Sequence, residues 1–197
     1  MIAVVDYGAG NLRSVANALD HLGADYAVTG DAEGVARARK VIFPGVGAAG
    51  GCMSELATRG LDEAIRRHRG PVLGICLGMQ VLTEWSEEGL GRVACLGVLP
   101  GHTARFRGVL KLPQIGWNTV RFRQEDPLFS EIPSDSHFYF AHSYRVHTDP
   151  VHVLGETEYG GEYPSVVRRD NFRGVQFHPE KSGPHGLRLL RNFVELC

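Results

Sequence analysis

Gly70-Pro71-Val72-Leu73-Gly74-Ile75-Cys76-Leu77-Gly78-Met79-Gln80 is the stretch on which the fold turns. Pro71–Ile75 is a continuous apolar run, the pattern of a strand buried on both faces of a parallel sheet. Met79, Val81 and Leu82 then recur at helical spacing. A strand passing directly into a helix, with cysteine at the join and a glycine two residues to either side, reads as a strand–nucleophile–helix elbow. The glycines leave room for the sharp turn, and the turn lifts the sulfur above the strand ends. The first amides of the helix favour a thiolate and offer a donor to an oxyanion. For a cysteine taken alone, a buried core position is the commoner situation. The paired glycines at this junction argue against it.

Upstream, apolar runs alternate with helical patterns. Ile2–Asp6 reads as a strand ending in the turn Gly8-Ala9-Gly10-Asn11, after which Leu12, Val15, Ala16, Leu19 and Leu22 recur at helical spacing. Asp25–Val28 and Lys40–Phe43 read as strands, and one helix is expected over roughly Gly51–His68. This repetition predicts right-handed crossovers and a doubly wound, mostly parallel α/β sheet. Downstream, helical spacing fades. Thr119–Phe122, Phe138–Ala141, Val151–Leu154, Ser165–Arg168 and Gly174–Phe177 are short, turn-separated and rich in β-branched or aromatic residues, as expected of antiparallel additions to the sheet. A last helix is expected from about Pro184 to Leu196, with proline in its first turn. With no linker or internal repeat, residues 1–197 read as one domain.

Of the 197 residues, 43% are hydrophobic and 22% charged, with 21 basic and 22 acidic side chains and a net charge of −1. No basic stripe or charge run is present, so nucleic acid and anionic membrane are poor partners. Met1–Asp6 has no basic lead and does not read as a signal peptide. No apolar stretch approaches bilayer length, so cytoplasmic location is the expectation. Cys52, Cys76, Cys95 and Cys197 show no close pairing, which indicates neither a disulfide framework nor a metal site. No Walker loop or dinucleotide fingerprint appears, and no cofactor is expected.

Two further segments carry chemistry. In Gln176-Phe177-His178-Pro179-Glu180, His178 and Glu180 are two apart, so in extended chain they share one side. Glu180 can then orient the imidazole while His178 takes the thiol proton. Histidine alone says little in a chain with nine, and His68, His102, His147 and His185 read as loop or solvent-facing residues. In Phe43-Pro44-Gly45-Val46-Gly47, glycines permit amides to point at a substrate oxygen. A plain strand-to-helix turn explains that segment equally well on its own. All three segments fall at the carboxyl ends of predicted strands, where open α/β sheets place their sites.

Taken together, Gly74–Gly78, Pro44–Gly47 and His178–Glu180 resemble the elbow, oxyanion strand and His-x-Glu of the class I, or triad, glutamine amidotransferases, across essentially the whole chain. Asp6–Leu12, Pro113–Asn118, Tyr139–Tyr144 and Gln176–Ser182 are similar, more narrowly, to the glutaminase subunits of imidazole glycerol phosphate synthases. The resemblance implies a flavodoxin-like amidotransferase fold. It also implies a heterodimer with a (β/α)8-barrel cyclase subunit, to which ammonia cut from L-glutamine is passed in histidine biosynthesis. It implies Cys76 as nucleophile, His178 as acid–base and Glu180 as its orienter. The oxyanion would be held by Leu77 and the Gly45, Val46, Gly47 loop. Gln80 contacts substrate by the same similarity. Glu88 is the candidate for the substrate ammonium, and Ser143 and Tyr144 for its carboxylate. Asn11, Trp117, Asn118, Tyr139 and Lys181 are expected to face the partner. A bland reading exists for most of these: an acidic surface residue for Glu88, a strand end for Ser143, a solvated side chain for Lys181.

Three other functions fit the same residues less well. A free-standing cysteine hydrolase, such as a γ-glutamyl hydrolase or peptidase, would need no partner. A non-catalytic binding module would not need Cys76, His178 and Glu180 together. A glutaminase for another synthase, such as anthranilate or pyridoxal phosphate, is opposed by Gly116-Trp117-Asn118 and Lys181-Ser182.

Overall fold

Along the first strand, Ile2 and Val4 face one core while Ala3 and Val5 face another, and all four are buried. That two-sided burial is what the unbroken apolar runs require, because helices cover both faces of a parallel sheet. A computed structural model describes residues 1–89, 91–108 and 111–197. The chain begins β1 (Ile2–Val5), α1 (Leu12–His21), β2 (Tyr26–Thr29), α2 (Ala32–Arg37), β3 (Lys40–Gly45), α3 (Ala49–Thr58), α4 (Leu61–Arg67), β4 (Val72–Cys76) and α5 (Leu77–Gln80). It continues through β5 (Trp85–Ser86), β6 (Val93–Ala94), β7 (His102–Arg105), β8 (Gln114–Phe122), β9 (Ser136–His142), β10 (Tyr144–His147), β11 (Val153–Glu158), β12 (Glu162–Arg169) and β13 (Phe172–Val175), and closes with α6 (Gly183–Leu196).

The main sheet has nine strands in the order β2-β1-β3-β4-β13-β12-β11-β8-β9. On one face, Val15 and Leu19 of α1 and Leu189, Leu190 and Phe193 of α6 pack over Ile2, Val4, Ile42 and Leu73. On the other, Leu56, Leu61 and Ile65 of α3 and α4 pack over Ala3, Val41, Phe43 and Val72. Burying each such side chain contributes about 1.5–3 kcal/mol. A second, four-stranded sheet, β10-β7-β5-β6, flanks the end of α5. Two of its strands hold only two residues, too few for any alternation to be read from sequence. Among the described residues, no helix is long and apolar enough to cross a membrane.

The α/β class and mixed sheet agree with expectation; four details do not. The expected helix over Gly51–His68 is two helices, because Gly60 takes the left-handed conformation (φ 65°) and ends α3. α2, with Asp31 capping the Gly34 amide, was not expected at all. Only one helical turn follows Cys76, after which Val81–Thr83 closes on itself in turns. Most consequential, the strand near Gly174 is antiparallel on one side only, toward β12. Two hairpins reverse the chain from β11 to β12 to β13, so β13 runs parallel to β4, Val72 beside Phe172 and Ile75 beside Val175. Fully buried Asp126 pins that region, accepting from Arg168 Nη1 (2.8 Å) and Arg173 Nε (2.9 Å).

Candidate active site

Parallel pairing of β13 with β4 brings the chain's two chemically distinctive segments together at the carboxyl ends of two central strands. Cys76 ends β4 with φ 55° and ψ −110°, a strained conformation for a residue with a side chain. Close glycine packing permits it. A Cβ on Gly78 would lie 1.9 Å from the Phe43 carbonyl oxygen. One on Gly74 would lie 2.6 Å from the Gly78 oxygen, and one on Gly45 2.7 Å from the Gly78 nitrogen. The elbow and the Pro44–Gly47 segment are therefore one interlocked unit, with Gly45 paired beside Cys76 in the sheet.

His178 leaves β13 with its amide donating to Tyr139 O (2.9 Å). Its side chain is 4% exposed. Nδ1 is 2.8 Å from Glu180 Oε1, and the ring shares a cavity wall with Cys76, near enough for the sulfur to act on its charge. Burial alone would pull the imidazole pKa down. Hydrogen bonding and charge attraction from Cys76 and Glu180 more than reverse this and push it up to about 10. The alternation expected of an extended His-Pro-Glu does not apply, because Pro179–Lys181 is a 3-10 turn. The turn folds the Glu180 carboxylate back under the ring. Asn11 Nδ2 also donates to Glu180 Oε1 (2.8 Å), which puts this expected partner-facing residue against the carboxylate. Glu180 Oε2 is buried without a hydrogen bond among the described residues.

A cavity of about 200 Å³ opens over Cys76. Val46, Gly47, Leu77, Gln80, Glu88, Ser143, Tyr144, His178 and Lys181 all line it, as do Ala141 and His142. Of the expected oxyanion and substrate residues only Gly45 does not; it lies beneath, in the sheet. Glu88 is half-buried, with Oε2 accepting the Ala49 amide (3.0 Å), and burial raises its pKa. Gln80, expected to contact substrate, already has partners within the chain. Its Nε2 is committed to Tyr144 O (3.1 Å) and Gln176 Oε1 (3.0 Å), and the side chain is 4% exposed. The Val46 amide likewise has a partner. It donates to Tyr7 Oη (3.1 Å), which in turn donates to Val46 O (3.2 Å). Tyr7 is buried and lines a second cavity that adjoins this one at Val46 and Gly47, so the Val46 amide is already held by a partner within the chain. Burial holds the phenol far above its usual pKa.

Around the mouth, Ile115 and Trp117 are exposed large apolar side chains on one face of β8, and Trp117 meets Tyr139 of β9 edge-on at 6.2 Å. Asn118 points to the opposite face, with Nδ2 on Glu158 O (2.9 Å). Lys181 is exposed on the 3-10 turn. His68, expected at the surface, is buried beneath Gly70, with Nε2 unpartnered among the described residues. It lines a larger cavity of about 440 Å³ beside Ala36, Ala64 and Arg67, whose lining includes no cysteine, serine or threonine. No cluster of three or more metal-ligating side chains occurs among the described residues.

His142 carried no expectation, and only its burial reveals it. Nδ1 is 2.7 Å from Tyr144 O and Nε2 3.2 Å from Tyr163 Oη. Burial first, and the His178 charge in addition, lower its pKa to about 4 against the Tyr144 hydrogen bond. A neutral native histidine that protonates on unfolding stabilises the fold fully above pH 6.5. That stability is lost as pH falls from 6.5 through about 4. The urea midpoint should therefore decline over this window. His68 and His147, also lowered by burial, act in the same direction. The decline in His142→Gln should accordingly be shallower than in wild type, and parallel curves would refute the assignment.

A family model described as glutamine amidotransferase class-I matches residues 3–197. The chain is 51% identical over its whole length to the imidazole glycerol phosphate synthase subunit HisH of Herpetosiphon aurantiacus, covering 95% of that protein. It is 47% identical to the HisH subunit of Methanocaldococcus jannaschii, covering all of both chains. Among solved structures it superposes on a glutamine amidotransferase with a TM-score of 0.75 at 21% identity, covering 99% of this chain and 98% of that one. It superposes on a chain of the PurLQS structure from Thermotoga maritima with a TM-score of 0.72 at 20% identity, covering 98% and 96%. At those identities the structural likeness speaks to the fold.

Proposed function

Because the chain belongs to the class-I glutamine amidotransferase family, we propose that Cys76, His178 and Glu180 are the triad with which it hydrolyses glutamine. It is a glutamine-hydrolysing enzyme and the glutaminase subunit of an imidazole glycerol phosphate synthase, working in complex with a cyclase subunit. The observation that carries the triad is the buried His178–Glu180 pair, 2.8 Å apart, with His178 on the wall of the cavity that opens over Cys76.

The Cys76 sulfur attacks the side-chain amide carbon of glutamine, and the carbonyl electrons move to oxygen. A raised His178 pKa keeps a proton on the ring, ready for the leaving nitrogen. Collapse breaks the C–N bond, ammonia departs with that proton, and a thioester remains. His178 then takes a proton from water as it adds, the C–S bond breaks, and glutamate leaves. The Leu77 amide opens α5 and has no intrahelical partner, which suits it to the oxyanion. Glu88 offers a carboxylate to the substrate ammonium at the cavity rim. Ammonia then passes to a (β/α)8-barrel cyclase docked over Ile115, Trp117, Tyr139 and Lys181.

The second oxyanion donor is the Val46 amide, which rests on Tyr7. Rotation of the Gly45–Gly47 peptides completes the hole, and one missing donor typically costs about a hundred- to a thousandfold. The isolated chain should therefore produce glutamate slowly, and a bound cyclase carrying its nucleotide ligand should raise the rate on that scale. Lys181→Ala should weaken the activation while leaving the basal rate little changed. Glutamate release assayed with and without the cyclase tests this. A lone chain at full speed, indifferent to any partner, would favour a free-standing hydrolase instead.

A further inference from the structure

We infer that Gln176 is a further catalytic residue: its side-chain amide donates an N–H to the Cys76 sulfur and stabilises the anion that attacks and later leaves. The inference rests on Cys76 being the nucleophile, as proposed above. Gln176 Nε2 lies 3.7 Å from Cys76 Sγ, a hydrogen-bond distance for the large sulfur atom. The residue is fully buried, and its main-chain amide is held by Ser165 O (2.9 Å).

The two ends of an amide look alike in shape, so its orientation has to come from its partners. Here a main-chain carbonyl decides it. Tyr144 O can only accept, so the Gln80 atom 3.1 Å away must be the NH2 group. That same NH2 lies 3.0 Å from Gln176, so the Gln176 atom facing it must be the oxygen. The Gln176 NH2 is left facing the sulfur. A relay of two amides thus begins at a residue lining the substrate cavity and ends at the reacting atom. Gln80, expected to touch substrate, is the middle link.

A buried glutamine also serves simply to satisfy neighbouring polar groups, and the Gln80–Gln176 bond would exist for that reason alone. What goes beyond it is the choice of sulfur as the last acceptor. Sulfur in a neutral thiol accepts weakly, whereas an anionic acceptor makes a charge-assisted bond roughly twice as strong as a neutral one. The bond therefore tightens when the sulfur is charged. That occurs before C–S bond formation and again when the C–S bond breaks and the electron pair returns to sulfur. Being neutral, the amide does not compete with His178 for the proton.

This role has a signature that loss of packing lacks. A less stabilised thiolate is scarcer below its midpoint but intrinsically more nucleophilic. Alkylation of Cys76 by iodoacetamide should be followed across pH in wild type, Gln176→Met and Gln80→Met. Cys52 and Cys95 are pushed up to about 12 and about 11 by burial, and burial also raises half-buried Cys197, so Cys76 should react first. In Gln176→Met the midpoint should move up by about one pH unit, a roughly tenfold drop in rate on its acid side. The limiting rate at high pH should stay equal or rise. Gln80→Met, which frees the Gln176 amide to turn, should show a smaller shift of the same sign, and serves if Gln176→Met does not fold. An unchanged midpoint in the folded variant, or a lowered high-pH limit with no shift, would overturn the role of Gln176 alone. Mapping the label in wild type to another cysteine would overturn the nucleophile assignment as well.

Discussion

Cys76→Ala should abolish glutamine hydrolysis, with a loss on the order of 10⁶, the scale on which triad hydrolases depend on their nucleophile. Everything else at the site can still bind substrate, but nothing remains to form the thioester. The substitution deletes one nearly buried sulfur and keeps the backbone, so the chain should fold with a nearly unchanged melting temperature. Two controls separate chemistry from folding. Cys52→Ala and Cys95→Ala remove thiols in the core facing α3 and should leave turnover close to wild type. A cyclase complex carrying Cys76→Ala should still make product when supplied with an ammonium salt. His178→Asn should cost about a hundredfold or more, typical of a positioned acid–base. Glutaminase activity surviving in Cys76→Ala would end the proposed mechanism.

Gly78→Ala should be among the most damaging single methyl additions to the chain. Its Cβ would sit 1.9 Å from the Phe43 oxygen and 3.1 Å from the Phe43 carbonyl carbon, both backbone atoms of β3. A flexible side chain could swing aside, but a central strand cannot. Overpacking of a core side chain commonly costs about 1–3 kcal/mol, and this clash belongs at or beyond the upper end. Against a total of about 5–15 kcal/mol, that is a large fraction of the fold's stability. The variant should unfold at markedly lower urea or be recovered insoluble, and any folded fraction should be inactive because the elbow has moved. Gly51→Ala is the contrast. It lies within α3, has no atom within 4 Å of the added Cβ, and should stabilise by up to about 1 kcal/mol. Equal stability of the two variants would disprove the packing argument.

The elbow was legible in sequence because its physics is local. A buried strand, a glycine on each side and a helical pattern all fall within eleven residues. His178 and Glu180 were legible as a pair, yet the reason offered was wrong: a 3-10 turn, not strand alternation, joins them. The direction of β13 was illegible, since it depends on how many hairpins precede it. Val175 and Phe177 look the same whichever way the strand runs. Tyr7, Asn11 and Gln176 were all quoted in motifs, but their contacts reach across 39, 169 and 100 residues. No spacing rule finds such partners. Gly60 escaped because a glycine within a helical pattern is often tolerated, and only its φ shows that it divides two helices. His142 left no signal, because burial and not residue type gives it its character.

The pairing of β4 with β13 also bears on how the molecule comes into being on the ribosome. Residue 72 must wait for residue 172 before its free edge is covered. Synthesis proceeds at about 5–20 residues per second, so β2, β1, β3 and β4 are complete well before their neighbour emerges. During that interval an apolar strand lies open along one side, the kind of edge that recruits other chains. Closing so long a loop is entropically late, and it is the event that carries His178 to Cys76. Catalytic competence and protection from aggregation therefore arrive in the same step. A nascent or truncated chain lacking β13 has neither, and no ammonia can be released by a molecule that has not finished folding.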